Sequence, residues 1–161
     1  MKIKKLGIAT VLMIIPNAFW LICGIGWIIL PEIFLSVSYN SFVGSSWESF
    51  KTTNETISLL FEYHGRLLGI QFFILSMGLI VITVTAYKRG EKWSWVLLAV
   101  SSTLLWITAA LFDAIIGVFQ VIISEIVPLF IAYCSLLISR PLVFPNANTK
   151  KHETWETGRS Q

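Results

Sequence analysis

The chain has 161 residues, of which 55% are hydrophobic and only 13% are charged. Soluble domains carry roughly 25% charged residues, so this chain has too little charge to cover a surface that faces water. The composition therefore disfavours a soluble enzyme, a nucleic-acid-binding module and a disordered chain, and it predicts that the lipid bilayer is the surrounding medium.

Four stretches with little or no charge are long enough to cross a bilayer, whose hydrocarbon core of about 30 Å needs about 20 helical residues. They predict transmembrane helices at about residues 6–30, 61–87, 93–113 and 119–139. The fourth includes Glu125 within its first two turns, because neither uncharged half on its own is long enough to span. The sequence thus predicts an all-α integral membrane protein: a four-transmembrane-helix antiparallel bundle in residues 1–140, followed by a polar cytoplasmic tail in residues 141–161.

The basic residues predict how the bundle is oriented. Ten of the twelve Lys and Arg residues fall on one side of the predicted spans: Lys2, Lys4, Lys5, Lys88, Arg89, Lys92, Arg140, Lys150, Lys151 and Arg159. Only Lys51 and Arg66 fall on the other side, where most of the acidic residues also lie. Because cytoplasmic loops carry the excess of Lys and Arg, the expected location is the cell membrane, with both termini cytoplasmic. The net charge of +3 then follows from these anchors and requires no nucleic acid as a partner.

The connections between the helices differ in length. An outer loop of about 30 residues, 32–60, follows the first helix and mixes aromatic side chains with Ser and Thr. This mixture is compatible with a strand pair or with a short helix on the membrane surface. Asn54 begins a formal N-glycosylation sequon within this loop. The short basic turn at residues 88–92 predicts that the second and third helices are neighbours, and Gly117 is expected to end the third helix.

Small, polar and Trp residues recur on each predicted helix at alternating three- and four-residue steps. Small and polar residues are typical of the faces on which membrane helices pack together. On the four helices in turn the residues are Thr10, Asn17, Trp20, Gly24 and Trp27; Glu62, Gly69, Ser76 and Thr83; Trp95, Ala99, Ser102, Trp106, Ala109 and Asp113; and Glu125, Pro128, Ala132, Ser135 and Ser139. Seams of this kind are typical of a left-handed bundle. Gly65 and Gly69 form a small-xxx-small pair that suits either packing within the bundle or a homodimer.

Five ionisable side chains are expected to converge near the outer face: Glu62, His64, Arg66, Asp113 and Glu125. Charged groups inside a membrane usually pair or line a cavity. Glu62 and Arg66, four residues apart, are placed to pair along one helix. The other side chains expected at this site are Asn17, Trp20, Trp27, Gln71, Trp106 and Gln120. The set predicts an outward-facing pocket with a polar rim and aromatic walls, which is typical of a small-molecule site.

Other roles for the ionisable residues stay open. Glu62, Arg66 and Asp113 also suit the lipid headgroup layer, where charge is tolerated. His64 by itself is typical of an interface residue, whereas Glu125 favours a role inside the bundle because it falls within a helix that must span. The sequence contains no nucleotide-binding, metal-binding or hydrolase motif, so it predicts no cofactor, no metal site and no assigned catalytic residue.

The second and third helices carry one recognisable pattern. The run from Arg66 to Gly69 is followed by Gly78, by a basic turn at Lys88 and Arg89, and by a third helix that begins with Trp. This pattern resembles the small DoxX-like membrane proteins over roughly these two helices. The resemblance implies a four-helix integral protein of a bacterial or archaeal cell membrane, in a group partly associated with respiratory or thiol redox systems. It implies no catalytic residue in this chain.

Three classes of function fit these features. The favoured class is non-enzymatic binding of a lipid-like small molecule, or of a partner membrane subunit or second copy, through the pocket. One alternative is a small intramembrane enzyme that acts on a sterol- or quinone-like substrate with buried carboxylates as acid and base. The other is a component of a proton or ion path. The missing catalytic constellation disfavours the enzyme, and the lack of a charged file toward the inner face disfavours the path.

Overall fold

The structure, a computed structural model, describes residues 2–117 and 119–145, and its regular elements in these ranges are all helices. In chain order they are α1 (Lys2–Ile29), α2 (Pro31–Val43), α3 (Trp47–Thr53), α4 (Glu55–Thr85), α5 (Lys92–Ile116) and α6 (Phe119–Val143), with a 3-10 turn at Tyr87–Arg89 before α5. Within the described ranges, α1, α4, α5 and α6 are long and apolar enough to cross a membrane. The all-α fold class and the four membrane-length helices are therefore confirmed.

Several helix ends lie beyond the predicted ones. Helix α5 continues to residue 116 and ends, as predicted, at Gly117, whose φ of 83° suits a residue without a side chain. Helix α6 runs past Pro141 to Val143, although the proline removes one backbone donor. The amide of Phe144 still donates to the carbonyl of Arg140 at 2.8 Å. The first residues of the predicted polar tail are thus helical, whereas residues 146–161 and the side chain of Gln120 lie outside the described residues.

The predicted outer loop at 32–60 is wrong, because this segment is helical. Pro31 begins α2 at a position where its missing N–H is not needed. Gly44, with a φ of 73°, ends that helix, and the hydroxyl of Ser46 accepts a hydrogen bond from the amide of Ser49 at the start of α3. Helix α4 then begins at Glu55 rather than at residue 61. Of the two predicted alternatives, the strand pair is wrong and the segment is helical, whereas a position of these helices on the membrane surface stays a prediction.

The aromatic side chains of this segment pack on one another. Trp47 is only 1% exposed, and its ring lies 5.5 Å from the rings of both Tyr39 and Phe50. Phe61, from the first turns of α4, closes the group at 6.2 Å from Trp47. These contacts hold α2 and α3 as a helical hairpin against α4. The aromatic residues therefore have neighbours within the protein, which the sequence pattern of the segment does not show.

Helix α1 lies between α4 and α6, and α5 packs chiefly on α6. Helices α4 and α5 contact each other only slightly, although the turn between them is short. The prediction that they are close neighbours is thus wrong along most of their length. The reason lies in Tyr87, which is fully buried and donates to the carbonyl of Ser135 on α6 at 3.0 Å. The turn is thereby held against α6 and α1, and a gap is left between α4 and α5.

Glycines bring α1 and α4 into direct backbone contact. A methyl group placed on Gly69 would lie 2.7 Å from the carbonyl oxygen of Gly24 and 2.9 Å from the amide nitrogen of Ile28. A methyl group on Gly65 would lie 3.0 Å from the ring of Trp27. Only glycine fits where two helix backbones meet this closely. Of the two predicted roles for Gly65 and Gly69, the structure shows packing within the bundle.

The predicted packing faces are confirmed. Every residue of the four predicted seams is buried or half-buried, including the whole α6 series from Glu125 to Ser139. The apolar core between these faces contains Ala9, Met13, Leu98 and Leu136. Beside it, the hydroxyl of Tyr87 also lies 2.8 Å from the hydroxyls of both Ser135 and Ser139. This hydrogen-bonded group joins the turn before α5 to α6.

Candidate functional site

The structure separates the predicted ionisable cluster into two groups. The first contains Glu62 and Arg66 of α4, beside the α2–α3 hairpin. Glu62 forms an ion pair with Lys51 at 3.3 Å, and Lys51 also donates a hydrogen bond to Glu32. Arg66 donates to the carbonyl of Ile28 at 2.5 Å. The predicted pair of Glu62 and Arg66 is therefore replaced, because the end of α1 offers Arg66 a carbonyl that has no helical partner.

Lys51 and Glu32 each shift the titration of the other. The hydrogen bond from Lys51 holds the pKa of Glu32 below its ordinary value of 4.5, and the same contact holds the pKa of Lys51 above 10.5. A lowered carboxylate pKa stabilises the fold above pH 4.5, and this contribution is lost as the pH falls through the lowered value. A raised ammonium pKa stabilises it below pH 10.5, and this contribution is lost as the pH rises through the raised value. At neutral pH both side chains are charged, so both contributions to stability are present.

We expect a Lys51→Gln variant to loosen α3 (Trp47–Thr53), because Lys51 is the cation that joins this helix to both α2 and α4. Backbone hydrogen exchange in residues 47–53, measured at pH 7, should become severalfold faster than in the parent chain. The matched control is Glu48→Gln, an exposed charge on the same helix. Equal exchange rates in the parent and in Lys51→Gln would show that the aromatic packing alone holds α3.

The remaining predicted polar residues lie away from a common site. His64 is exposed, and its Nδ1 atom lies 2.8 Å from the carbonyl oxygen of Leu60 one turn earlier. Gln71 is exposed on α4. Asn17 is buried and donates to the carbonyl of Met13 at 2.8 Å, so its amide serves its own helix. None of these three side chains lines the cavity that adjoins Glu125.

The second ionisable group is a pair of carboxyl side chains inside the bundle. Glu125 of α6 is only 6% exposed, and its carboxyl group lies beside that of Asp113 on α5. The second oxygen of Glu125, Oε2, is buried and has no hydrogen-bond partner among the described residues. Glu125 therefore lies inside the bundle as predicted, and it has an unused acceptor.

A cavity of about 570 Å³ adjoins this pair. Its aromatic wall includes Trp20 and Trp27 of α1 and Trp106 of α5, the three tryptophans expected there from the sequence. The Trp20 ring lies 4.3 Å from the ring of Phe72 and 5.0 Å from that of Trp106. The indole N–H of Trp20 is buried without a hydrogen-bond partner among the described residues. The cavity thus combines an apolar wall with one unused donor and one unused acceptor.

Helix α2 closes one side of this cavity. Phe34 lines it and stacks on Trp27, with ring centroids 4.8 Å apart. Phe34 is not among the lining residues expected from the sequence, because residues 32–60 are expected to form a loop. Phe72, on a predicted helix, is not expected there either. The proline that begins α2, followed by apolar residues at helical spacing, is the signal that could have placed Phe34 here.

A second space lies beside the cavity, in the gap between α4 and α5. It measures about 550 Å³ and is more open. The two spaces share the lining residues Trp20, Leu68, Phe72, Ala109 and Phe112. Because α4 and α5 flank the opening, it faces the direction in which lipid surrounds a membrane bundle.

Comparison with known proteins assigns this chain to no family. No protein-family model, curated protein or solved structure matches this chain. The resemblance to DoxX-like proteins therefore stays a prediction from the sequence. In the described ranges, His, Cys, Asp and Glu side chains form no group of three or more that could hold a metal ion. What the geometry offers chemically is an apolar space with two polar contacts beside the carboxyl pair.

Proposed function

We propose that this chain is an integral cell-membrane protein that binds a lipid-like small molecule in the cavity between α1, α2, α4, α5 and α6. The observation that carries the proposal is Glu125, a buried carboxyl side chain with an unused acceptor at the wall of an apolar space. A DoxX-like architecture, with antiparallel spans and both termini in the cytoplasm, is part of the same proposal.

The distribution of charge supports this orientation. Lys4, Lys5, Lys88 and Arg89 are exposed at one end of the bundle, and Arg140 lies at the same end of α6. The other end carries Lys51 and Arg66, and both have polar partners there. Free positive charge therefore remains at the end expected to face the cytoplasm.

The two unused polar atoms indicate the headgroup of the ligand. A buried donor or acceptor without a partner costs about 1–3 kcal/mol. The indole N–H of Trp20 needs an acceptor, and Oε2 of Glu125 can accept a hydrogen bond from a donor. A hydroxyl group can play both parts, since it donates one hydrogen bond and accepts others. The favoured ligand is thus an apolar molecule with a hydroxyl or a similar small polar group.

The size and the opening of the cavity indicate the rest of the molecule. Small-ligand pockets measure about 300–1,000 Å³ and are mostly apolar, which matches this space. The open space between α4 and α5 shares part of its lining with the cavity, so it offers the shortest way in for a molecule that is dissolved in the bilayer. A lipid-like ligand therefore fits better than a polar metabolite.

The neighbouring carboxyl groups of Asp113 and Glu125 at the cavity wall favour a second candidate, an intramembrane enzyme. Two carboxyl groups side by side can act as acid and base on a bound sterol- or quinone-like molecule. Binding is the favoured function because it needs only the apolar wall and the two unpartnered polar atoms of Trp20 and Glu125. Recovery of a chemically converted molecule after incubation with the purified protein would favour the enzyme instead.

The proposal is tested by native mass spectrometry of the chain purified in mild detergent, with organic extraction of what it retains. A Glu125→Gln variant should retain the molecule about 2–10-fold less well, since a hydrogen bond contributes about 0.5–1.5 kcal/mol. A Trp20→Phe variant should also weaken retention, because it removes the indole N–H and keeps most of the ring.

The matched controls are Glu48→Gln and Trp93→Phe, which change the same atoms on exposed side chains. Unfolding temperatures of all four variants separate loss of binding from loss of structure. If Glu125→Gln and Glu48→Gln retain the same molecule equally well, the pocket proposal is wrong. A protein that carries no small molecule and copurifies with another polypeptide would instead indicate an accessory subunit.

A further inference from the structure

A separate groove lies at the other end of the bundle, on the side of α5 and α6 that faces away from the core. It encloses about 690 Å³ and is lined mainly by apolar side chains, among them Trp95, Val100, Leu104 and Leu137. Leu104 and Leu137 are 63% and 64% exposed, so the groove is open to the surroundings of the bundle. It shares no lining residue with the cavity beside Glu125, and only Leu104 with the space between α4 and α5.

Two positive charges lie at one end of this groove. Arg140 lines it directly. Lys92 lies with its ammonium nitrogen 5.8 Å above the ring of Phe144, another lining residue. Neither cation takes part in an ion pair within residues 2–117 and 119–145. Glu91, the acid nearest in sequence, is already bound by Arg89 at 3.2 Å.

The polar groups along the rest of the groove already have partners. The hydroxyls of Thr103 and Tyr133 bond to each other at 2.7 Å. The indole N–H of Trp95 donates to the carbonyl of Leu136 at 3.1 Å. A ligand therefore meets apolar surface along the groove and unpaired positive charge only at its end.

The length of the groove matches one leaflet of a bilayer. The stretch of α5 from Trp95 to Leu104 rises about 14 Å at 1.5 Å per residue. Half of a hydrocarbon core about 30 Å thick measures about 15 Å. The charged end then lies at the level of the lipid headgroups, and the deep end lies near the middle of the membrane.

We propose that this groove binds an anionic phospholipid, with an acyl chain along α5 and α6 and its phosphate against Arg140 and Lys92. A guanidinium group and an ammonium group are the usual partners of a phosphate. The leaflet that faces the basic end of a membrane protein is also the one rich in anionic lipid. The proposal rests on membrane insertion, and it is independent of the ligand beside Glu125.

Two other occupants fit less well. A second copy seated here about a twofold axis would bring its own Lys92 and Arg140 to the same surface, because both copies use the same patch. Like charges would then face each other. Residues 146–161 carry Lys150, Lys151 and Arg159 against Glu153 and Glu156, so they do not offer the negative charge that the groove lacks.

The test compares two lipids with identical acyl chains, phosphatidylglycerol and phosphatidylcholine, added to the full chain in mild detergent and counted by native mass spectrometry. The parent chain should retain the anionic lipid preferentially. A Lys92→Gln/Arg140→Gln double variant should bind phosphatidylglycerol about 25-fold more weakly, at roughly fivefold for each basic side chain. The matched control is Lys4→Gln/Lys5→Gln, which removes two exposed charges at the same end.

A second pair of variants tests the apolar part of the groove. Leu137→Trp adds bulk at a lining position and should reduce retention of both lipids severalfold. Phe130→Trp, at an exposed position on the same helix outside the groove, should leave retention unchanged. An equal loss in both double variants, or no preference for phosphatidylglycerol in the parent chain, would overturn the proposal. A dimer that Leu137→Trp dissociates would overturn it in favour of a second copy.

Discussion

A Gly69→Ala variant is expected to unfold with about 1–3 kcal/mol less free energy than the parent chain, which is the usual cost of extra bulk in a packed interior. The added methyl group would meet the carbonyl oxygen of Gly24 at 2.7 Å and the amide nitrogen of Ile28 at 2.9 Å. Both are backbone atoms, so no rotation of a side chain relieves the contact, and α1 and α4 must move apart. Thermal unfolding in mild detergent measures the loss.

Gly78→Ala is the matched control for this prediction, because it makes the same change on the same helix. A methyl group at Gly78 would meet nothing within 4 Å. Alanine is also the better helix former by about 1 kcal/mol, so the control should unfold at the same temperature or slightly higher. Equal destabilisation by the two substitutions would contradict the close backbone contact between α1 and α4.

The second large effect is expected at Tyr87. A Tyr87→Phe variant removes the hydroxyl that lies 3.0 Å from the carbonyl oxygen of Ser135 and 2.8 Å from the hydroxyls of Ser135 and Ser139. These groups are buried, so the loss leaves polar atoms with fewer partners and should cost about 1–3 kcal/mol. The same unfolding measurement shows it. Because Tyr87 holds the turn before α5 against α6, hydrogen exchange in that turn should also become faster.

Tyr133→Phe provides the comparison. It removes a hydroxyl that bonds to Thr103 at 2.7 Å, but the Tyr133 side chain is 38% exposed. Water can replace a partner at such a position, so the expected cost is about 0.5 kcal/mol or less. A Tyr87→Phe variant as stable as Tyr133→Phe would show that the buried hydrogen bonds at the end of α6 do not hold the turn.

Much of the membrane-spanning architecture follows from the sequence by itself. The number of long apolar helices depends on the length and hydrophobicity of each stretch, and both are local properties. The seams follow from residue size, because small and polar side chains gain most from contact between helices in an apolar medium. The placement of Glu125 among buried residues is a case where a local signal, a charge within a necessary span, was sufficient.

The candidate site was predictable only in part. Trp20, Trp27, Trp106, Asp113 and Glu125 line one cavity, and each lies on a predicted seam. The other half of the predicted cluster was not predictable in the same way. Glu62 is paired with Lys51, which is eleven positions away, and Arg66 contacts Ile28 on another helix. A charged side chain reaches several partners, and the nearest one in sequence has no advantage once other helices approach.

The length and apolar character of the spans, the faces on which they pack and the distribution of charge along them were determined by the sequence alone, since each is a property of one helix at a time. Which helices meet was decided only by the tertiary structure. The backbone contact between Gly24 and Gly69 holds α4 on α1, and the buried hydroxyl of Tyr87 holds the next turn on α6. These two contacts keep α4 apart from α5 and leave the gap that lies beside the cavity. The energies involved belong to pairs of distant residues, so they become visible only when the helices are assembled.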